Sequence, residues 1–195
     1  MKLILASKSP RRREILSNLG LSFEVVTAET DETSTEKDPR KLVELLSERK
    51  GRAVMEHLIA TGNMTDDTVI LSSDTVVAAE GEILGKPRDE ADARRMLGLL
   101  SGKTHEVVSG VCLLSRDRAG TASEVTRVTF DALDEETVEH YLHAEQVYDK
   151  AGAYAIQGLA SAYIRGIEGC YFNVVGLPVH RVNCLYESIF GKKLL

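Results

Sequence analysis

Cysteine, an excess of positive charge and long apolar runs are all scarce or missing in this chain, and each shortage narrows what it can be. Three cysteines, Cys112, Cys170 and Cys184, form an odd and widely spaced set. Each sits among apolar residues, which predicts reduced core thiols in place of a disulfide framework or a zinc knuckle. No apolar run approaches the roughly 20 residues of a membrane span. The apolar start Leu3-Ile4-Leu5-Ala6 is too short for a secretory leader, so a soluble cytoplasmic protein with no membrane partner is expected. Basic residues number 24 against 30 acidic ones, a net charge of −6. That balance argues against an extended nucleic-acid surface, which needs broad positive potential, and leaves a small anionic ligand as the better match to a locally basic end. His140 and His143 share a helical face, but the surrounding segment from Asp134 reads as a solvated helix, which makes them poor metal ligands. No repeat, low-complexity segment or linker divides the chain, and one domain over residues 1–195 is the expectation.

What the chain does have is short apolar runs alternating with helical patterns. Lys2-Leu3-Ile4-Leu5-Ala6 reads as a first strand. Ser7-Lys8-Ser9-Pro10-Arg11-Arg12-Arg13 then leads into a helix through Ile15, Leu16 and Leu19 that ends at Gly20. Ser9 suits the N-cap, and Pro10 suits the first helical position, where a missing N–H is harmless. Three arginines in that turn run against the positive end of the helix dipole. Free backbone N–H groups and guanidinium forks suit a polyanion, with a solvent-facing charged turn as the plain alternative. Phe23 to Val26 reads as a second strand, followed by the acidic loop Ala28-Glu29-Thr30-Asp31-Glu32-Thr33, whose carboxylates are candidate metal ligands. Asp38-Pro39 opens a long helix with an apolar stripe of Leu42, Leu45, Leu46, Ala53, Val54 and Leu58. Lys50 falls on or beside that stripe, which aims its ammonium inward unless the side chain snorkels.

The run from Val69 to Val77 is β-branched and aliphatic, the mark of a buried strand, and Asp74 interrupts it. A buried carboxylate is costly unless paired, hydrogen-bonded or metal-bound, so Asp74 either caps a strand end or takes part in chemistry. The strand continues through a Glu80-Gly81 hairpin to Gly85-Lys86-Pro87. Asp89 caps a helix with Ala93, Met96, Leu97 and Leu100 inward. The following Gly102-Lys103-Thr104 is not a phosphate loop: Leu97 stands where that motif needs glycine, and the tripeptide follows a helix and precedes a strand. Strands are expected over Glu106–Ser115 and Thr121–Leu133, and a helix over Asp134–Ala144. A second hairpin is expected over Ala160–Ile167 and Cys170–Val175, and a final helix from Gly176-Leu177-Pro178 to Ile189. The segment Asp149 to Gly158 is rich in small residues, which would let a ligand approach the backbone. Its Gln157 offers the paired donor and acceptor that reads a nucleobase edge, an ordinary loop glutamine being the plain alternative.

In order and spacing, Ser7-Lys8-Ser9-Pro10-Arg11-Arg12, Ser73-Asp74-Thr75, Gly85-Lys86-Pro87, Ser101-Gly102-Lys103-Thr104-His105, Asp149-Lys150-Ala151-Gly152-Ala153-Tyr154 and Ile156-Gln157-Gly158 resemble the Maf-type nucleoside triphosphate pyrophosphatases over nearly the whole chain. The form of the late motif is similar to the branch acting on dTTP and UTP. The resemblance implies an α/β fold, a mixed twisted sheet flanked by helices as in the inosine triphosphatase-like (Maf/Ham) fold. It also implies homodimers, a divalent cation and hydrolysis of a nucleoside triphosphate to the monophosphate and pyrophosphate, modified pyrimidine nucleotides included. Asp74 matches the proposed proton acceptor, either taking the proton directly or chiefly holding the metal, since a bound cation makes a carboxylate a poorer base; Arg11, Thr75 and Gln157 match positions linked to base selectivity. Ser7, Arg12, Glu32, Lys50 and Lys86 match the remaining polar pocket. Arg11, Arg12, Lys50 and Lys86 can neutralise a triphosphate, while Glu32 and Asp74 are the hard oxygen ligands that Mg²⁺ or Mn²⁺ prefers. Two rivals remain. A nucleotide-binding regulator of cell division without turnover would not need both carboxylates, and a phosphatase would release inorganic phosphate.

Overall fold

A sheet of seven strands with helices packed on it accounts for the apolar pattern. The computed structural model describes residues 1–195. In chain order it runs β1 (Lys2–Ala6), α1 (Pro10–Asn18), β2 (Phe23–Val25), α2 (Pro39–Ala60), β3 (Thr68–Ala79), β4 (Glu82–Leu84), α3 (Glu90–Leu100), β5 (Thr104–Leu114), β6 (Ala119–Phe130) and α4 (Glu135–Ala144). Two 3₁₀ turns, Ala151–Ala153 and Leu159–Ala162, precede β7 (Ile164–Glu168), α5 (Tyr171–Val175) and α6 (Val179–Phe190). The strand order is β2-β1-β3-β5-β6-β7, with β4 paired to β3. β1 is parallel to β2 and β3, whereas β4 is antiparallel to β3 and β7 to β6, so the sheet is mixed, as the resemblance implies. No helix is long and apolar enough to cross a membrane.

The chain forms two compact units. The first comprises Met1–Asp74, Ser109–Glu124 and Gly176–Leu195, the second Thr75–Val108 and Val125–Val175. The first packs Ile4, Val54, Leu58, Ile70, Cys112 and Leu114 into one apolar cluster. The second packs Val77, Leu97, Val107, Phe130, Tyr141 and Tyr154 into another.

Helix starts follow the sequence signals where a carboxylate caps. Asp38 accepts from the N–H groups of Arg40 and Lys41, Asp89 from that of Asp92, and Asp134 from that of Thr137. Ser9 holds the N-cap position of α1, but its side chain makes no cap bond; its own N–H donates to Ser7 Oγ at 3.2 Å.

The buried face of α2 is Val43, Leu46, Ser47, Gly51, Val54 and Leu58, rotated from the expected stripe, and Leu42, Leu45 and Ala53 are only half-buried. Two glycines explain the rotation. A Cβ on Gly51 would stand 2.8 Å from both Ser72 Oγ and Leu114 Cδ1, and one on Gly110 of β5 would stand 2.2 Å from the carbonyl oxygen of Val43. The helix therefore rests directly on the strands at these points, and Ser72 Oγ donates to Ser47 O across the contact at 2.6 Å.

Two expectations are corrected. The second hairpin does not form: Ala160 lies in a 3₁₀ turn, β7 pairs with β6, and Tyr171–Val175 is a short helix. Thr126 Oγ1 bonds both the N–H and the carbonyl of Cys170 at 3.0 Å, and the buried Asn173 donates to Val107 O and Thr126 Oγ1. These polar anchors turn the chain inward where a strand would have run on. The cysteines are also not a uniform core set. Cys112 is buried, and burial pushes its thiol up to about 12, whereas Cys170 is half-buried and Cys184 is exposed on α6.

Candidate active site

Within the first unit, the end of β1, the first turn of α1, the acidic loop, α2 and the middle of β3 bring their polar side chains together around Asp74. The residue is only 8% exposed, on a strand whose preceding residues are all buried. Its compensating partner is Lys50, whose Nζ lies 2.5 Å from Asp74 Oδ1 and 3.1 Å from Glu32 Oε1. The inward aim of Lys50 follows from the α2–β3 contact. Gly51 lets the helix settle beside Ser72, and the neighbouring Lys50 is carried to Asp74 two residues further along the strand.

Glu32 is brought in by a residue that the sequence pattern did not single out. Arg49, beside Lys50 on α2, donates through Nη1 to the carbonyls of Asp31 at 3.3 Å and Thr33 at 2.7 Å, bracketing Glu32. Asp31 accepts from the hydroxyl of Thr33 at 2.7 Å and from its N–H at 2.8 Å. Those bonds, the hydroxyl first, hold the Asp31 carboxyl below the usual carboxylate range. An arginine on a long helix carries no signal of this task in sequence.

Arg12 completes the cluster from α1. Its Nε donates to Gly176 O at 2.8 Å, and its Nη1 to Ser73 O at 2.7 Å and Ser7 Oγ at 3.2 Å. One guanidinium thus ties together the end of β1, the residue before Asp74 and the approach to α6. Burial lowers the Arg12 pKa below its ordinary value, Asp74 and Glu32 oppose that shift, and Arg11 adds to it. A guanidinium nevertheless stays charged in a protein, so a fixed cation stands near Asp74 beside the longer-stemmed one of Lys50.

The donor set suits a hard divalent cation. Two carboxylates converge on a single positive centre, the Lys50 ammonium. Mg²⁺ typically takes one or two carboxylates from a protein and completes its shell with water and substrate phosphates. Glu32 and Asp74 fit that pattern.

A family model described as "Maf-like protein" matches residues 2–189. The chain belongs to the Maf family. It is 48% identical over 182 residues to a dTTP/UTP pyrophosphatase of Thermosipho africanus, covering 93% of this chain and 90% of the relative. It is 46% identical over 181 residues to a dTTP/UTP pyrophosphatase of Symbiobacterium thermophilum, covering 92% and 90%. Among solved structures it is similar to the Ham1 protein of Staphylococcus aureus, with 11% identity and a TM-score of 0.46 over 67% of this chain and 72% of that one.

Of the positions that the Maf motifs single out, the first unit gathers Ser7, Arg12, Glu32, Lys50 and Asp74, and carries Arg11 half-buried in the first turn of α1. Thr75, Lys86 and Gln157 belong to the second unit, where Thr75 is half-buried and Lys86 and Gln157 are exposed. Gln157 follows a segment that is fixed from within that unit. Tyr154 OH lies 2.7 Å from His105 Nε2, and both rings pack edge-on against Phe130. Burial pulls His105 down to about 4 and pushes the Tyr154 phenol up, so both are neutral at physiological pH. Within this Maf motif Gly152 serves packing: a Cβ there would stand 2.9 Å from Val77 Cγ2. His140 and His143 are exposed and form no metal cluster.

Proposed function

We propose that this Maf protein hydrolyses dTTP and UTP, together with modified pyrimidine nucleotides, to the monophosphate and pyrophosphate, with Mg²⁺ or Mn²⁺ held by Glu32 and Asp74. The observation that carries the reading is the buried Asp74 carboxylate paired at 2.5 Å with Lys50, which also reaches Glu32 at 3.1 Å. A site made only to hold a triphosphate gains nothing from two carboxylates facing it; a site that must deprotonate water and hold a cation uses both.

When bound, the divalent cation supplies charge neutralisation on the phosphate oxygens and Lewis acidity. The chain's own residues do the rest. Asp74 accepts the proton of the water that attacks the α-phosphorus, and pyrophosphate leaves. Lys50, Arg11 and Lys86 offset the negative charge of the phosphates, while Arg12, with Ser7, holds the positive potential in place and keeps Ser73 and therefore Asp74 in register. Thr75 and Gln157, with Arg11, select the base. A homodimer acting in the cytoplasm is part of the same proposal.

The test is a product assay on UTP, dTTP, CTP and GTP that reads pyrophosphate against inorganic phosphate. Pyrophosphate in step with UMP or dTMP is expected. Inorganic phosphate as the first product would make the protein a phosphatase, and tight nucleotide binding without either product would make it a regulator.

A further inference from the structure

Resting on the pyrophosphatase reading above, we infer that Lys50 is an internal counter-cation that competes with the divalent metal for Glu32 and Asp74, so that the metal is held well only when a triphosphate is there to receive the displaced ammonium. Nζ lies within bonding distance of a carboxylate oxygen from each residue, 2.5 Å for Asp74 and 3.1 Å for Glu32. A cation held by both carboxylates would have to come close to that ammonium. Like charges a few ångströms apart repel strongly in a half-buried site, so one must leave. The Lys50 side chain is 20% exposed and that of Asp74 is 12% exposed, so on the Asp74 side the conflict is only partly screened by solvent, while Glu32, 57% exposed, forms the open side of the site.

Of the two cations near Asp74, Lys50 is the one able to move. Arg12 has Nε and Nη1 bonded to the carbonyls of Gly176 and Ser73, and leaving would break both bonds. Lys50 has a four-carbon stem and a freely rotating ammonium, and no bond of its Nζ goes to a backbone carbonyl. Metal binding without nucleotide strands that ammonium away from both of its carboxylates. Metal arriving with a triphosphate gives it phosphate oxygens instead. The two ligands are thereby coupled, and such coupling is reciprocal.

The probe is Mn²⁺ alone, with no nucleotide, measured as free Mn²⁺ by electron paramagnetic resonance in titrations of the full chain. Lys50→Met and Lys50→Gln should each bind Mn²⁺ tighter than the wild type by about 5-fold to 150-fold, the usual span of coupling between two ligands. Lys50→Arg, which keeps the charge, should remain as weak as the wild type; tighter binding in the neutral variants beside weak binding in the charged one is a contrast that a purely structural role for Lys50 would not give. The two neutral variants guard against loss of fold in either, which circular dichroism checks. Mn²⁺ affinity unchanged or lowered in both neutral variants would overturn the inference. Pyrophosphate release from UTP by the wild type is measured separately. If it occurs while the Mn²⁺ affinities do not change, the counter-cation role fails and the pyrophosphatase reading stands. If it does not occur while the affinities rise, the reverse holds.

Discussion

Lys50 reaches Asp74 at 2.5 Å because its neighbour Gly51 lies where even a methyl group would stand 2.8 Å from Ser72 Oγ. The Lys50–Asp74 ion pair is thus a by-product of a helix–strand contact that glycine makes available. In an ordinary exposed helix Gly→Ala stabilises by up to about 1 kcal/mol. Here the sign should reverse: Gly51→Ala should destabilise by about 1–3 kcal/mol, the scale of overpacking, and lower kcat by shifting Lys50. Gly110→Ala should be worse, because its Cβ would stand 2.2 Å from the Val43 carbonyl oxygen, which is backbone and cannot rotate away. Urea melts of both variants, with UTP turnover on Gly51→Ala, check the order.

Arg11 and Arg12 are adjacent in sequence and should respond differently. Arg12→Lys keeps the charge but not the fork that donates to Ser73 and Gly176 together, so both the melting temperature and kcat should fall. Arg11→Ala should lower melting less than Arg12→Lys does and weaken kcat/KM by the value of one charge-assisted contact, about 1.5–3 kcal/mol. Equal melting temperatures for the two variants would contradict the division of labour.

Much of this was legible from the chain alone. The strand around Asp74, the Asp89 cap, the opening of α2 at Asp38-Pro39 and the inward lysine follow from local rules that the structure obeys. What escaped were tasks set by partners far away in sequence. Arg49 pins the Glu32 loop, and Thr126 diverts Cys170 to Val175 from a strand to a helix, yet neither residue differs locally from an ordinary surface arginine or strand threonine. The rotation of α2 was hidden for the same reason: a glycine inside a helical pattern does not say what it faces.

His105 gives the fold a defined acid sensitivity. Its folded pKa is about 4 against an ordinary 6.5, because burial disfavours the charged ring. Below pH 6.5 the unfolded chain takes up a proton that the folded chain refuses. Stability should therefore fall as pH drops from about 6.5 towards 4, the loss approaching about 3 kcal/mol below that range. His105→Gln should lose overall stability, since Tyr154 loses its partner, but its slope between pH 7 and 4.5 should be flatter. Parallel slopes in urea melts across that range would contradict the assignment.

In the base-selecting role proposed for Gln157 and Thr75, both would offer the base neutral hydrogen-bonding groups in place of charges. An amide matches the O4/N3–H edge of uracil or thymine, while the 4-amino group of cytosine reverses the pattern and leaves groups unpaired. UTP and dTTP should be preferred over CTP by up to about 10⁴ in kcat/KM, whereas the thymine methyl should change the value by only about 10–200-fold. Gln157→Glu should lower UTP turnover far more than that of a poor substrate. CTP or GTP as the best wild-type substrate would remove Gln157 from the base-reading role.

The measurement that bears most directly on the account is the steady-state rate of pyrophosphate release from UTP by Asp74→Asn beside the wild type, with thermal melts of both. Asparagine keeps the shape but removes the charge that Lys50 pairs with, and Lys50 retains Glu32 at 3.1 Å, so the variant should remain folded at the assay temperature with a modestly lower melting point. Its kcat should fall by at least about 10²-fold, the lower end of what a positioned proton acceptor contributes. A folded Asp74→Asn protein that releases pyrophosphate at close to the wild-type rate would contradict the role given to this carboxylate.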